Sequence, residues 1–419
     1  MLRAGWIAAF ALVAGACSAA AQQPHTAQQP DTAQQPGTAQ QPGTAQLDGE
    51  RGLWVRHAGD SIAVSWITDP AQAGVLEVVD GDDLVVRRET APAVVHTALF
   101  RRPRADDVLL RYGGAAGPQH ETRVSIRTPK RDPVTVRAVD SLYVLGDTHG
   151  DYDALVSGLQ AAGLIDEGLR WSGGRSHLVF AGDLVDRGPD VTRLLWLVYR
   201  LEREAAEAGG RIHVLLGNHE IMVMLGDLRY VHPREERLAA LHGVRYDRLF
   251  DVRSSVLGRW LASKPAVLRV GGVLIAHGGV TPQYAELGLR EFDDSLRTYM
   301  GEELFYRWSD TTAVIAMDSA AYERRIDFFW GERSAFWHRG YVQSDSLATE
   351  LDDVLRRTDS DVLVVGHTAL PGIDARYGGR LIAAHTPAFG AALLLLVRTP
   401  HGYERWRIST EGRERLPSG

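Results

Sequence analysis

Gly217-Asn218-His219-Glu220 follows the apolar run of residues 212–216, close to the middle of a 419-residue chain. Alone, an Asn-His pair after a strand is a polar turn. Two earlier stretches are built the same way. Leu142-Tyr143-Val144-Leu145 runs into Gly146-Asp147-Thr148-His149-Gly150, and Leu178-Val179-Phe180-Ala181 into Gly182-Asp183-Leu184-Val185-Asp186-Arg187-Gly188. Each is a short apolar run of the kind that forms a buried strand, then a glycine, then a side chain able to bind a metal. Two later runs end similarly, residues 273–275 before His277 and residues 362–365 before His367. Five strands thus deliver Asp, Asn or His at their carboxyl ends, where α/β sheets bind ligands.

Between these strands lie helical stripes. Tyr152, Leu155, Val156 and Leu159 share one face, and Val191, Leu194, Leu195, Val198 and Leu201 another. Strands alternating with helices predict an α/β body. Asp, Asn and His, without sulfur, suit hard or borderline divalent ions. One zinc needs only three or four such ligands. Seven candidates over five strands fit two ions better, bridged by a carboxylate at about 3.5–4 Å.

The glycine-flanked motifs around Asp147, Asp183 and Asn218, with His277-Gly278-Gly279 and Gly366-His367, resemble the signatures of the phosphoprotein phosphatase family of calcineurin-like metallophosphoesterases. Residues 217–230, with Gly226-Asp227-Leu228-Arg229-Tyr230, are similar to its Shewanella-like branch. The resemblance covers about residues 139–397. It implies a two-sheet β-sandwich flanked by helices over residues 138–419. It also implies that Asp147, His149 and Asp183 hold one metal, and that Asp183 bridges to a second held by Asn218, His277 and His367. A hydroxide between the ions would attack phosphorus in line. His219 would protonate the leaving oxygen, Asp186 would orient it, and Arg187 would grip phosphate. A second phosphate-binding arginine is expected in the insert before the last histidine; Arg339 is the choice and Arg333 the runner-up. The ions would be manganese first, with iron or zinc compatible. The substrate would be a phosphorylated protein, peptide or small-molecule phosphoester.

The rest of the chain presents or tethers this body. A formal charge of −7 gives no reason to expect a nucleic-acid partner. Residues 1–21 read as a secretory signal, and Ala14-Gly15-Ala16-Cys17 resembles a lipoprotein box holding the sole cysteine. Cys17 would then carry a lipid and tether the protein to a membrane, placing it in the periplasm or envelope. Residues 22–49 contain four copies of Gln-Gln-Pro-x-Thr-Ala, with no bulky apolar side chain to offset ordering. Residues 50–133 alternate with period two over runs at 61–67, 75–79, 84–87, 94–100, 108–112 and 121–126. A small all-β sandwich resembling a fibronectin type III module is expected, packed against the catalytic body.

Residues 281–358 form an insert rich in aromatics, among them Phe305, Tyr306, Trp308, Phe328, Phe329, Trp330, Phe336, Trp337 and Tyr341. A helical cap with its own aromatic core is expected; some rings could wall a groove for an aryl phosphate. His385 ends another strand-like run, beside the metal ligands or at the rim. His232 and His242 read as solvated, and His177 and His213 as structural. Two other functions remain open: a nucleotide polyphosphatase of the diadenosine tetraphosphatase kind, and an envelope binding protein with a vestigial metal site.

Overall fold

The computed structural model describes residues 52–301, 319–386 and 391–417. The expected leader and repeats lie outside these residues, as do Phe305, Tyr306 and Trp308.

The chain opens with β1 (Trp54–Ala58), β2 (Ser61–Asp80), β3 (Asp83–Arg101), β4 (Asp107–Gly114) and β5 (Gly117–Ser125). The all-β expectation for this region holds, with a different division of strands. The runs at 61–67 and 75–79 are one strand, β2, and those at 84–87 and 94–100 are another, β3. Pairing with β3 continues past residues 68–74, with register shifts between Ile67 and Gln72 and again between Gln72 and Gly74. Irregularities of this kind bend a strand without ending it. Hydrogen bonds join all five strands in antiparallel pairs, ordered β1-β2-β4-β5 with β3 on β2.

This sheet shares one apolar core with the body that follows; Trp66, Leu76 and Tyr112 belong to the same buried cluster as Trp196 and Trp260. Polar contacts cross the same boundary. The Trp196 indole N–H donates to the Leu53 carbonyl at 3.1 Å, and the Ser125 N–H to the Tyr199 hydroxyl at 2.9 Å. His242, expected in solvent, lies half-buried at this boundary, its Nε2 3.0 Å from the Gly52 carbonyl oxygen. His177 and His213 face each other at 3.1 Å.

The body continues with β6 (Thr135–Val136), β7 (Ser141–Leu145), β8 (His177–Phe180), β9 (Arg211–Val214), β10 (Val267–Val270), β11 (Val273–Ala276), β12 (Val362–Val365), β13 (Asp374–Arg376), β14 (Leu381–Ala383), β15 (Ala392–Thr399), β16 (Gly402–Ser409) and β17 (Gly412–Arg415). They form two six-stranded sheets, β13-β14-β12-β11-β10-β6 and β17-β16-β15-β7-β8-β9. Alternate residues of both sheets, Leu142, Val144, Val179, Ile275, Val364 and Leu394 among them, interlock as one dry layer between them. Helices α1 (Tyr152–Ala161) and α2 (Val191–Glu207) bury the expected stripes, with Leu155, Leu159, Leu194 and Leu201 inside. The α1 start is capped by Asp151, whose carboxylate accepts the Ala154 N–H at 3.1 Å. Then come α3 (Asn218–Leu225), α4 (Pro233–Leu241), α5 (Val256–Leu261) and the insert helices α6 (Pro282–Leu287), α7 (Leu289–Gly301), α8 (Ser319–Trp330), α9 (Gly340–Gln343) and α10 (Ala348–Arg357). Tyr284, Phe292, Phe328, Phe329 and Phe336 stack on one another as the aromatic core of the insert. No helix among the described residues is long and apolar enough to cross a membrane.

The parallel strands matter most. β7, β8 and β9 run parallel in one sheet, and β11, β12 and β14 in the other. The loops that follow them converge across the seam between the sheets.

Candidate metal centre

The loop after β7 carries Asp147 and His149, the loop after β8 carries Asp183, and α3 begins at Asn218. His277 directly follows β11, and His367 lies two residues beyond β12. All six side chains are buried, as are His219, Asp186 and Glu220. The sequence-predicted ligands therefore meet at one place, drawn from both sheets.

Two groups that could each hold a metal ion share Asp183. Around its Oδ2, His277 Nε2 lies at 3.2 Å. That nitrogen is also 2.9 Å from Asn218 Oδ1 and 3.1 Å from His367 Nδ1. Atoms this close around one point suit a divalent ion with bonds of about 2.0–2.2 Å. On the other side, His149 Nε2 is 3.8 Å from both Asp147 Oδ2 and Asp183 Oδ2. The far nitrogens of two ligands are fixed by backbone. His149 Nδ1–H donates to the Val185 carbonyl and His277 Nδ1–H to the Ala181 carbonyl, each at 2.9 Å. Such bonds aim the free nitrogen at the metal position.

The charge of the cluster points the same way. Burial alone would lower the His277 pKa; the Asp183 and Asp147 carboxylates override it and raise it to about 9. Buried carboxylates here call for positive charge, which divalent cations supply. Burial, reinforced by His219, holds His149 down at about 3, neutral as a metal ligand must be. His367 Nε2 is buried with no hydrogen-bond partner among the described residues. The residues present fit two ions.

Backbone strain gathers at the same place. Among the described residues, eight non-glycine residues have positive φ, and five are His149, Asp183, Asp186, Arg187 and His367. Such conformations persist where surrounding bonds over-determine them. Glu220 is one source of those bonds. Its buried carboxylate accepts the N–H groups of Gly217 (2.7 Å), Asp183 (2.9 Å), Leu184 (2.7 Å) and Val185 (3.2 Å). It therefore ties the start of α3 to the strained loop after β8. Burial and Asp183 push its pKa up to about 7, against four donors that favour the anion. Sequence reading left Glu220 without a role, though a carboxylate at the third helical position is a known capping signal.

His219 is held by Asp186, with Nδ1 2.7 Å from Oδ2. Its Nε2 faces the ligand cluster, 3.9 Å from Asp183 Oδ2 and 3.5 Å from Arg187 Nη2. Burial would lower its pKa, but Asp183 and Asp186 outweigh that and raise it. Arg339 precedes α9 and its guanidinium donates to the His367 carbonyl at 3.0 Å, beside one candidate ligand. Arg333 pairs with Glu350 at 3.0 Å and is half exposed. His385, just past β14, is buried with Nδ1 3.5 Å from Asp147 Oδ1. Of the insert aromatics, Trp337 stands over His367, rings edge to face at 5.7 Å.

Comparisons with known proteins agree with this geometry. Residues 141–371 match the family described as calcineurin-like phosphoesterase. An uncharacterised protein of Schizosaccharomyces pombe is 31% identical over 254 residues, 58% of this chain and 72% of that one. Shewanella-like protein phosphatase 2 of Arabidopsis thaliana is 29% identical over 202 residues, and the chain spans about half, 52%, of its length. The crystallised cold-active protein-tyrosine phosphatase of a psychrophilic Shewanella species aligns with a TM-score of 0.66 at 26% identity, over 87% of this chain and 98% of that one. Coverage that wide extends well beyond residues 141–371 and reaches into the N-terminal sheet.

Proposed function

Because the chain belongs to the calcineurin-like phosphoesterase family, we propose that it is a two-metal phosphomonoesterase acting on phosphorylated proteins. The observation that carries this is the pair of ligand groups, His149 with Asp183 and His277 with His367, sharing one aspartate. Two divalent cations bound there supply Lewis acidity, lowering the pKa of water and neutralising phosphoryl oxygens.

The protein's own residues do the rest. Arg187 and Arg339 approach the centre from different loops, and planar guanidiniums suit two phosphate oxygens at once. Asp186 holds the His219 Nδ1 proton, which leaves Nε2 to pass a proton to the departing oxygen. The half-buried ring of Trp337 and the strand-end loops help exclude bulk water around this transfer. The names of the relatives, protein phosphatase and protein-tyrosine phosphatase, support a phosphoprotein substrate. Manganese is the first candidate for the ions.

Comparing hydrolysis of phosphotyrosyl peptide, phosphoseryl peptide and diadenosine tetraphosphate by the manganese-loaded protein tests this reading. Phosphopeptide turnover should exceed nucleotide turnover. Faster cleavage of the nucleotide would move the protein to the polyphosphatase reading.

The N-terminal segment suggests export. A signal over residues 1–21, lipidation of Cys17 and a tether over residues 22–49 would hold the enzyme at an envelope membrane. Membrane fractionation of the full chain and of C17A tests it; equal partition of the two would remove the lipid anchor.

A further inference from the structure

We propose that Tyr230 is the specificity-determining residue for an aromatic leaving group, so that the centre favours aryl over alkyl phosphomonoesters. The inference rests on the phosphomonoesterase reading above.

Six large apolar side chains are exposed among the described residues. Leu84, Val85, Val94 and Leu99 lie on β3, and Leu287 ends α6. The sixth is Tyr230, 44% exposed on the loop between α3 and α4. Its ring centroid lies 5.2 Å from that of His219. No core requires the ring there. It is nevertheless held in place, because its carbonyl accepts the Arg187 N–H at 2.7 Å and the Arg187 guanidinium carbon lies 5.6 Å from the ring. The residue is thus coupled to a proposed phosphate-binding arginine by backbone and by a cation–π contact.

Trp337 provides a second ring, beside His367. Its indole N–H is anchored on the Phe329 carbonyl at 2.9 Å, and Trp330 packs against it at 5.9 Å. One ring therefore adjoins the proton donor and the other a metal ligand. An aryl group leaving toward His219 meets the face or edge of Tyr230, whereas a serine or threonine side chain offers no π-system to match it. In the reaction water adds to phosphorus and the phosphorus–aryl oxygen bond breaks. The electron pair departs on the phenolate oxygen, which takes the His219 proton, and phenol and inorganic phosphate result.

Steady-state kinetics of the manganese-loaded full chain on phosphotyrosyl and phosphoseryl peptides of one sequence test this. Y230A should lose about 3–10-fold in kcat/KM on the phosphotyrosyl peptide, mostly through KM. Its loss on the phosphoseryl peptide should be at least threefold smaller. Y230F, which keeps the ring, should track the wild type on both. Equal losses on the two peptides in Y230A, or no loss on either, would overturn the inference while leaving the phosphomonoesterase reading intact. A wild type inactive on both peptides and on a small phosphomonoester would overturn that reading, and this inference with it.

Discussion

His219 could serve as a metal ligand or as a proton donor, since its Nε2 faces the same space as His149 and Asp183. Asp183 and the Asp186 carboxylate, 2.7 Å from its other nitrogen, raise its pKa, which suits a proton donor better than a neutral metal ligand. H219A should therefore keep its metal and lose turnover, by about 10²–10⁴ on a phosphoseryl peptide. The loss should be smaller on phosphotyrosine, because a phenol of pKa near 10 leaves with less help than an aliphatic alcohol. Elemental analysis run beside the kinetics decides the point, and a metal-poor H219A would make His219 a ligand. Glu220 makes a different kind of contribution. In E220Q one carboxylate oxygen becomes an amide that cannot accept, and two backbone N–H groups lose their partner. Each orphaned donor costs about 1–3 kcal/mol, so chemical denaturation should show E220Q less stable by roughly 2–6 kcal/mol. An unchanged midpoint would show that those bonds are dispensable. The candidate ligands are legible because each sits within a few residues of its own strand. Glu220's role is not, since its partners Asp183, Leu184 and Val185 lie more than thirty residues away.

At the level of elements, the junction of β9 with α3 sets how closely the two central loops approach. Gly217 has the extended φ of −96°, so it is not needed to make the turn. It is needed for contact: a Cβ there would lie 2.2 Å from Asp183 Oδ1. Gly182 meets Gly217 from the other side with φ 98°, and its own Cβ would fall 2.7 Å from the Gly217 nitrogen. G217A should displace the shared aspartate and weaken metal binding about 10–100-fold, the usual cost of disturbing groups around the ligands. Metal titration followed by calorimetry measures this, and wild-type affinity in G217A would mean the loops yield freely. Periodicity identified the strands and helices of the body, because buried runs and helical stripes are local patterns. It could not assign the parallel strands to two different sheets, nor fuse the runs at 61–67 and 75–79 into β2, since pairing partners decide both. Tyr230 was visible only as part of a motif; its ring beside His219 depends on how the loop after α3 folds back.

The whole molecule joins the N-terminal sheet and the catalytic body through a shared core and the half-buried His242, and a second histidine, His213, is buried within the body. Burial holds His242 down at about 4 and His213 at about 3. Both are depressed below the unfolded value of about 6.5. The unfolded chain therefore takes up more protons as pH falls below about 6.5, and stability is lost through that window toward pH 4. Every tenfold difference in proton affinity between the two states is worth about 1.4 kcal/mol at most. Glu235, pushed up to about 7 by burial, acts in the opposite sense and blunts the net curve. Comparison with H242Q isolates the effect: the stability advantage of the wild type should shrink as pH falls from 7 to 4.5. A pH-independent difference would mean that His242 is not neutral at this boundary.

Strand ends from two sheets converge on one place that would hold two ions. Elemental analysis with phosphate release measured across a manganese titration of the metal-stripped protein tests it most directly. Two ions per chain should bind, with hydrolysis of a phosphotyrosyl peptide rising as the second site fills. Full activity with one ion per chain, or activity that survives removal of both, would rule out a two-metal centre.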